Sequence, residues 1–342
     1  MRYRLRPLRD QVIVITGASS GIGLATARKA ARQGAKTWLV ARNEEALATA
    51  VREIQAEGGE AGYSVADVGD AAAVTDAANA AIARFGRIDS WINNAGVAIY
   101  AKLVDTPLDE HQQMFRTNYF GVVNGAMEAV RRLQVQGGAL ITVASIASDL
   151  PSPLLGAYTA SKHAIKGYIN SLRIELVTDE VPISVTLVKP SGIDTPIGRH
   201  AANHMGQEAL IPPPVYDPDL VADAILDCAV TPRREITVGG GGRAQVLAGT
   251  HFPGLLDHLS RFMMPLLTDP KRQPTPGNAL FSAARDGEER SGIKSGRRVS
   301  LYTAAARHRT ATGLGLAALV GGGYALYAVR RASARKAGTK PS

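Results

Sequence analysis

Short apolar runs alternate with stretches of helical periodicity from residue 12 onward. The runs are VIVIT (12–16), TWLVA (37–41), SWIN (90–93), ALITVAS (139–145), ISVTLVK (183–189) and EITVG (235–239). A segment whose apolar residues recur with a period near 3.6, from about Ile22 to Gln33, follows the first run. Continuous apolar runs are typical of strands buried on both faces of a parallel sheet. The pattern therefore predicts an α/β fold in which helices cover a doubly wound parallel sheet.

The composition changes after the four glycines at 239–242. Residues 244–267 are predicted to form an apolar helical segment, interrupted at Pro253-Gly254, that covers a pocket or touches a membrane surface. Residues 268–309 are rich in Pro, Gly, Ser and charge. This composition predicts a flexible basic linker because it cannot bury enough apolar area to fold alone. We therefore expect a single core domain at residues 1–243, followed by a C-terminal extension.

The run TATGLGLAALVGGGYALYAV (310–329) has no charged residue over its twenty positions. Twenty helical residues extend about 30 Å, which is the thickness of the hydrocarbon core of a bilayer. Basic residues flank the run at Arg307, Arg309, Arg330, Arg331, Arg335 and Lys336. The run predicts a transmembrane helix followed by a basic tail at 330–342. A hairpin or surface-lying segment and a disordered tail are the alternatives.

The net charge of +9 is concentrated at the C-terminus. Residues 268–342 contain 14 Lys and Arg but only 4 Asp and Glu, whereas residues 1–267 contain 25 and 26, respectively. A basic tail of this kind favours membranes or acidic partners over the recognition of bases. We therefore expect a lipid bilayer, and not a nucleic acid, as a partner.

A glycine-rich turn, TGASSGIG (16–23), follows the first predicted strand and opens the first predicted helix. Its glycines, Gly17, Gly21 and Gly23, have the spacing GxxxGxG rather than GxGxxG. Glycine at such a turn lets the backbone approach a pyrophosphate, and the helix N-terminus supplies unpaired N–H groups with partial positive charge. The turn predicts dinucleotide binding, with a plain glycine-rich turn as the alternative.

The stretch YTASK (158–162) places a tyrosine four residues before a lysine, so in a helix the phenol and the ammonium share one face. Further motifs are AD (66–67), NNAG (93–96), TNYFG (117–121), Ser145 thirteen residues before the tyrosine, and PSGIDT (190–195). With the glycine-rich turn, these motifs make residues 8 to about 243 resemble the short-chain dehydrogenase/reductase family. The resemblance implies a Rossmann fold and an oxidoreductase that acts on alcohols or carbonyls with a nicotinamide cofactor.

The resemblance also implies a catalytic set of Asn118, Ser145, Tyr158 and Lys162. Tyr158 would exchange a proton with a substrate oxygen. Lys162 would bind the nicotinamide ribose and lower the pKa of the phenol, whose ordinary value near 10 is poorly matched to neutral pH. Ser145 would hydrogen-bond the substrate carbonyl, and Asn118 would hold a proton-relay water near the lysine.

The end of the second predicted strand, WLVAR (38–42), indicates which cofactor is used. NAD-dependent members of the family carry an acidic residue there that binds the adenosine ribose, whereas this chain has Ala41 followed by Arg42. A guanidinium can bind a 2′-phosphate through two hydrogen bonds, and no carboxylate repels that phosphate. We therefore expect NADP(H), with an exposed arginine at a helix start as the alternative interpretation of Arg42.

Other positions of the family pattern imply the remaining cofactor contacts. The full set is Gly17, Ser19, Ser20, Gly21, Ile22, Gly23, Arg42, Asp67, Val68, Asn93, Ala95, Gly96, Tyr158, Lys162, Pro190, Ile193 and Thr195. Asp67 and Val68 would contact the adenine, and Ile193 and Thr195 the nicotinamide carboxamide. One position departs from the pattern, because Ser191 replaces the usual glycine and is less free to adopt a positive φ. No metal is expected, since the histidines show no paired ligand spacing.

Two apolar segments lie where the family places its substrate-facing residues. They are LPSPLLGA (150–157) and the loop at about 194–218, with Ile197, Met205, Leu210 and Pro212-Pro213-Pro214. We expect a lipophilic alcohol or carbonyl substrate such as a sterol, a retinoid or an acyl-chain derivative. The alternative is a catalytically silent, membrane-tethered nucleotide-binding or scaffold protein. The family implies a homodimer or homotetramer, and the abundance of NADP favours a catalytic domain on the cytoplasmic side of the membrane.

Overall fold

The strands predicted from the apolar runs pair in one parallel sheet in this computed structural model. The structure describes residues 3, 5–274, 278–284, 287–293, 295–308 and 312. The strands of the sheet are β1 (Val12–Thr16), β2 (Lys36–Ala41), β3 (Ala61–Val65), β4 (Ser90–Asn93), β5 (Gly138–Val143), β6 (Ile183–Pro190) and β7 (Glu235–Val238). Their order is β7-β6-β5-β4-β1-β2-β3. The predicted doubly wound α/β fold is confirmed.

The strand order reverses at β1. This strand pairs with β2 on one side, where Val12 lies opposite Lys36, and with β4 on the other, where Ile13 lies opposite Ser90. In doubly wound sheets, ligands bind outside the carboxyl ends of the strands at such a reversal. The glycine-rich turn and the residues that follow β4 therefore meet at one crevice.

The apolar pattern missed β3. This strand, AGYSV, lies at the edge of the sheet, and only Ala61 among its residues is fully buried. An edge strand is less enclosed than a central one, so its sequence needs no continuous apolar run.

Helices cover both faces of the sheet. The helices of the described residues are α1 (Gly21–Arg32), α2 (Glu44–Ala56), α3 (Ala71–Phe85), α4 (Leu108–Phe115), α5 (Gly121–Leu133), α6 (Gly156–Thr178), α7 (Ile197–His200), α8 (Pro218–Val230), α9 (Gly240–His251), α10 (Pro253–Met263) and α11 (Leu301–Arg307). Side chains of α1, α2 and α8 pack around Ile13 and Ile15. Those of α3, α5 and α6 pack around Val14 and Trp91 on the opposite face. Successive residues of a strand point to opposite faces, so both apolar layers form from the same runs.

Helices α9 and α10 follow the last strand of the sheet and are separated at Phe252. Large apolar side chains are exposed on these helices and on the turn that follows them. They are Leu247, Phe252, Leu255, Leu259, Phe262 and Leu266. This surface is called the α9–α10 face below.

The described part of residues 268–308 is packed against the domain, which corrects the expectation of a flexible linker. Leu280 is fully buried in a cluster that includes Val97 and Ile99. Arg290 pairs with the buried carboxylate of Asp217 at 2.8 Å. Low apolar content did not predict the behaviour of this segment, because the segment does not have to build a core of its own. It uses apolar and acidic surface that the domain provides.

The predicted transmembrane helix and basic tail lie outside the described residues, except for Thr312. Among the residues that the structure describes, no helix has the length and apolar character needed to cross a bilayer.

Candidate active site

The glycine-rich turn packs directly against the residues after β4. Gly17 has φ +64°, and a Cβ added there would lie 2.6 Å from the Cα of Ala95. A Cβ on Gly23 would lie 2.2 Å from the carbonyl oxygen of Gly17. Asn94 fastens the two segments, because its Nδ2 donates to the carbonyl oxygens of Thr16 and Gly17, each at 3.0 Å. Only glycine fits this close approach.

Tyr158 lies in the first turn of α6, and its side chain faces Ser145. Ser145 follows β5 and caps a 3₁₀ turn, with its Oγ accepting from the backbone N–H of Ala147 at 3.1 Å. Burial raises the pKa of Tyr158 to about 12, and a hydrogen bond with the Ser145 side chain opposes that rise. The phenol therefore keeps its proton at neutral pH in the absence of cofactor.

Lys162 lies one turn along α6 from Tyr158 and is only 4% exposed. Its Nζ donates to the carbonyl oxygen of Val143 at 3.1 Å and lies 5.5 Å from the centroid of the Tyr158 ring. Burial lowers the pKa of Lys162 to about 8. The sequence led us to expect that the lysine lowers the pKa of the phenol. In the structure, burial has the largest effect on the pKa of Tyr158 and raises it.

Asn118 lies in a π-helical turn, Arg116–Phe120, that joins α4 to α5. It is fully buried, with its Oδ1 accepting from the N–H of Val97 at 2.8 Å and its Nδ2 donating to the Val97 carbonyl at 2.9 Å. The same Nδ2 donates to Ser161 Oγ at 3.1 Å, and that hydroxyl donates to the carbonyl of Tyr158 at 2.7 Å. Asn118 thus ties the segment after β4 to the helix that carries Tyr158 and Lys162. Single π-helical turns are often found at functional sites.

One cavity of about 790 Å³ connects the glycine-rich turn to the tyrosine. The predicted site residues that line it are Gly17, Ser19, Ser20, Gly21, Ile22, Arg42, Asp67, Val68, Ala95, Gly96, Ser145, Tyr158, Lys162, Pro190, Ile193 and Thr195. A hydroxyl pair, an ammonium and a helix N-terminus therefore face one cavity. Such an arrangement can hold an extended phosphorylated ligand beside a group that transfers protons.

Comparison with known proteins identifies the family. The family model for short chain dehydrogenase matches residues 11–206. The chain belongs to the short-chain dehydrogenase family. It therefore has a fold that binds a nicotinamide cofactor, and it is an oxidoreductase that acts on alcohol or carbonyl groups.

Similar proteins agree with this assignment. The uncharacterized oxidoreductase YxnA of Bacillus subtilis is 39% identical over 325 residues, which cover 93% of this chain and 91% of YxnA. The 1-deoxy-11-beta-hydroxypentalenate dehydrogenase of Streptomyces avermitilis is 34% identical over 74% of this chain and 93% of its own length. An X-ray structure of an alcohol dehydrogenase from the archaeon Thermococcus sibiricus, complexed with 5-hydroxy-NADP, matches with a TM-score of 0.59 and 27% identity. This match covers 67% of this chain and 95% of the alcohol dehydrogenase.

Three predicted site residues lie behind the cavity wall of this short-chain dehydrogenase. Gly23 packs against the carbonyl of Gly17 within the glycine-rich turn, and Asn118 makes the contacts given above. Asn93 is buried, with its Oδ1 accepting from Trp91 Nε1 at 2.9 Å and its Nδ2 directed to the Val122 carbonyl at 3.4 Å. The neighbouring Asn94, which was not among the predicted site residues, lines the cavity instead.

The alternation of side chains between the two faces of a strand distinguishes the two asparagines. Asn93 stands two residues after Trp91 in the same strand, so the two side chains share a buried face. Asn94 follows the end of the strand and is free to turn toward the glycine-rich turn.

Ser191 occupies the family's usual glycine position without strain. Among the described residues, a positive φ at a non-glycine residue occurs at Leu154 and Glu180, and not at Ser191. Its N–H and its hydroxyl both donate to the carbonyl of Val238, each at 2.9 Å. The serine therefore fastens the end of β6 to β7 beside the cavity.

Three residues predicted to contact the adenosine half of the cofactor, Arg42, Asp67 and Val68, line the cavity. The Asp67 carboxylate accepts from the N–H of Gly69 at 2.9 Å. The Arg42 guanidinium donates to the carbonyl oxygens of Leu280, at 3.4 Å, and Ala279. Arg42 is therefore next to the cavity and is also held by the C-terminal segment.

These residues fit a nicotinamide dinucleotide. Gly17, Ser19, Ser20 and Gly21 line the cavity at the N-terminus of α1, a position suited to a pyrophosphate, and the cavity continues from Arg42 to Tyr158. Among the described residues, no three His, Cys, Asp or Glu side chains are grouped so that they could hold a metal ion.

Proposed function

We propose that this short-chain dehydrogenase is an NADP(H)-dependent oxidoreductase that transfers a hydride between the nicotinamide and a lipophilic alcohol or carbonyl compound. One observation carries the proposal: Ser145, Tyr158 and Lys162 line the same cavity as the glycine-rich turn. The alternative of a catalytically silent nucleotide-binding or scaffold protein is not favoured, since these groups all face one cavity of about 790 Å³.

The side chains suggest how a carbonyl is reduced. When bound, the nicotinamide supplies the hydride. The Ser145 hydroxyl positions the substrate oxygen, and the Tyr158 hydroxyl donates its proton to that oxygen as negative charge develops there. The Lys162 ammonium then stabilises the resulting phenolate. For alcohol oxidation the same groups act in reverse, with the phenolate accepting the proton. The raised pKa of free Tyr158 favours the protonated form that reduction requires.

Arg42 supports NADP(H) as the cofactor. It lines the adenosine end of the cavity directly after β2, and that strand ends in Ala41 rather than in an acidic residue. A guanidinium favours a 2′-phosphate, whereas a carboxylate would repel it. The similarity to the Thermococcus sibiricus alcohol dehydrogenase, whose structure contains an NADP derivative, points the same way.

The wall of the cavity near Tyr158 supports a lipophilic substrate. Its apolar residues there include Leu150, Pro151, Leu155, Leu210, Ile211, Pro212, Leu256 and Leu267. Apolar walls with a few polar groups at the reacting end bind largely apolar ligands. A sterol, a retinoid or an acyl-chain derivative belongs to this class. The relative that acts on 1-deoxy-11-beta-hydroxypentalenate shows that a similar chain can act on a hydroxylated compound.

The α9–α10 face supports attachment to a membrane. Its apolar side chains are exposed on the helix whose Leu256 and Ser260 line the cavity. Together with the uncharged run at 310–329, this face suggests a protein held at a bilayer by its C-terminus, with the catalytic domain on the cytoplasmic side. A homodimer or homotetramer remains part of the proposal. Flotation of the full chain with liposomes tests the membrane attachment, and sedimentation tests the assembly.

The Tyr158→Phe variant tests the enzymatic role. We expect it to lower kcat by about 10²- to 10⁴-fold, because the proton donor is lost, while dinucleotide affinity changes little. NADPH oxidation would be followed with a panel of lipophilic ketones and aldehydes, and dinucleotide binding by fluorescence. Tyr168→Phe is the matched control, since Tyr168 lies on the same helix and packs edge-on against Tyr119. Full turnover by Tyr158→Phe would refute the mechanism.

A further inference from the structure

A segment near the C-terminus crosses the glycine-rich turn. We call its described residues, 278–284 and 287–293, the strap. The N–H of Gly287 donates to the carbonyl of Ser19 at 2.9 Å, and the N–H of Gly21 donates to the carbonyl of Glu288 at 2.9 Å. These bonds join the strap to the glycine-rich turn at the start of α1, where the pyrophosphate of a dinucleotide is expected to lie.

A second set of contacts fastens the strap beside Arg42. The guanidinium donates to the carbonyls of Ala279 and Leu280, and Asn43 Nδ2 donates to the carbonyl of Ala284 at 2.9 Å. The Leu280 side chain is fully buried. The strap is therefore anchored by an apolar side chain as well as by polar contacts.

Ion pairs fix the far end of the strap. Glu289 pairs with Arg28 on α1 at 2.7 Å. Arg290 contacts both carboxylate oxygens of Asp217, at 2.8 and 3.0 Å, and Ser291 donates its backbone N–H to Asp194 at 3.0 Å. Arg28 and Asp217 belong to two different helical elements, because Asp217 caps α8. The strap thus contacts α1 and the start of the neighbouring helix α8.

The strap forms a wall of the cavity without filling it. Ala279, Ala283 and Ala284 line the same cavity as Ser19 and Gly21. Small side chains at 279, 283 and 284 leave room for a ligand beside the glycine-rich turn, next to the point where residues 287 and 288 bond to it. A ligand lying there would be covered by the strap.

We propose that the strap closes the adenosine end of the cofactor channel, and that a dinucleotide enters and leaves when the strap opens. This inference rests on the proposed function, because it assumes that a nicotinamide dinucleotide binds here. Arg42 links the strap to the proposed cofactor binding, since the same guanidinium contacts the strap and is placed to contact a 2′-phosphate. Release of a covered ligand requires the covering segment to detach, so the strength of the strap contacts sets the release rate.

Stopped-flow displacement of bound NADPH from the full chain tests the proposal. Leu280→Ala removes the buried anchor, and we expect it to raise the dissociation rate constant about tenfold. Glu289→Gln removes the charge that pairs with Arg28, and we expect an increase of about threefold. Glu57→Gln is the matched control, because Glu57 pairs at 2.9 Å with Arg32, one turn along α1 from Arg28, away from the strap. It should leave the release rate unchanged.

Hydrogen exchange provides a readout that does not depend on activity. We expect the amide of Gly287, which donates to Ser19, to exchange more slowly when NADPH is bound. Faster release in the two strap variants, together with this protection, supports the proposal.

The possible failures are distinguishable. If the wild-type chain binds no nicotinamide dinucleotide, both the proposed function and the strap proposal are overturned. If NADPH binds but dissociates from both variants at the wild-type rate, the strap proposal alone is overturned. Tighter binding by the variants would also overturn it, since the strap would then compete with the cofactor. Should Leu280→Ala fail to fold, Glu289→Gln decides the question, because it alters a partly exposed ion pair.

Discussion

The Nζ of Lys162 lies 5.5 Å from the centroid of the Tyr158 ring and donates to the carbonyl of Val143. The helix brings the two side chains together, and the end of β5 fixes the ammonium above the ring. Burial acts on both groups, raising the pKa of the phenol to about 12 and lowering that of the ammonium to about 8. At neutral pH the free enzyme therefore has a neutral phenol beside a charged lysine.

This pair predicts the pH dependence of carbonyl reduction. The pKa of Lys162 is lowered, so its charge is present below about pH 8 and is lost as the pH rises through that value. Tyr158 stays protonated across the same range, since its pKa is about 12. We expect kcat/KM, which reports the free enzyme, to be constant below about pH 8 and to fall above it. A pH profile of NADPH oxidation checks this.

Lys162→Arg is the informative variant for the pH profile. Arginine keeps its charge well above pH 8, so the remaining activity should lose the alkaline decline. If the activity of this variant still declined at the same pH, the decline would have to come from the titration of a group other than Lys162.

Arg42→Ala is expected to change cofactor preference. Loss of charge-assisted hydrogen bonds to a 2′-phosphate should lower the ratio of kcat/KM for NADPH over NADH by about 10- to 100-fold. The ratio removes effects common to both cofactors, including any caused by the Arg42 contacts with the strap. Arg52→Ala is the control, because Arg52 contacts the Thr49 hydroxyl on the exposed side of α2. An unchanged ratio in Arg42→Ala would show that Arg42 does not select the cofactor and only anchors the strap.

Gly23→Ala is expected to disrupt the dinucleotide turn. The added Cβ would lie 2.2 Å from the Gly17 carbonyl oxygen, so the turn would have to move. We expect a loss of about 1–3 kcal/mol in the free energy of unfolding and at least a tenfold weaker NADPH affinity. Thermal unfolding and fluorescence titration measure these quantities.

Gly167→Ala is the matched glycine control. Gly167 lies within α6, and beyond its own helix an added Cβ there meets no heavy atom of the described residues within 4 Å. Alanine should raise the free energy of unfolding by about 0.5–1 kcal/mol. Equal behaviour of the two variants would contradict the close packing of Gly23.

Asn118→Ala is expected to destabilise the domain. The change leaves the N–H and the carbonyl of Val97 without their side-chain partners, and each buried unsatisfied group costs about 1–3 kcal/mol. We expect the free energy of unfolding to fall by about 2–4 kcal/mol in urea denaturation. Asn124→Ala removes a single hydrogen bond to Val68 and should cost about 1 kcal/mol. Equal costs would show that Asn118 does not clamp the segment after β4.

The sequence by itself determined the features that depend on local spacing. Apolar runs specified the central strands, glycines specified the turn before α1, and an interval of four residues placed Tyr158 and Lys162 on one helix face. Each of these features depends on a few consecutive residues, so the chain encodes them without knowledge of its distant neighbours.

Only the tertiary structure decided the features that depend on surroundings. The pKa values of Tyr158 and Lys162 are set by desolvation, which sums over atoms from many segments. The exposure of Asn94 rather than Asn93 depends on where β4 ends. The strap looked like a linker because its composition describes its own apolar content, whereas its packing depends on the domain surface that receives Leu280 and Arg290. Burial and charge pairing depend on both of the segments that come into contact. The residue pattern within one segment describes only that segment.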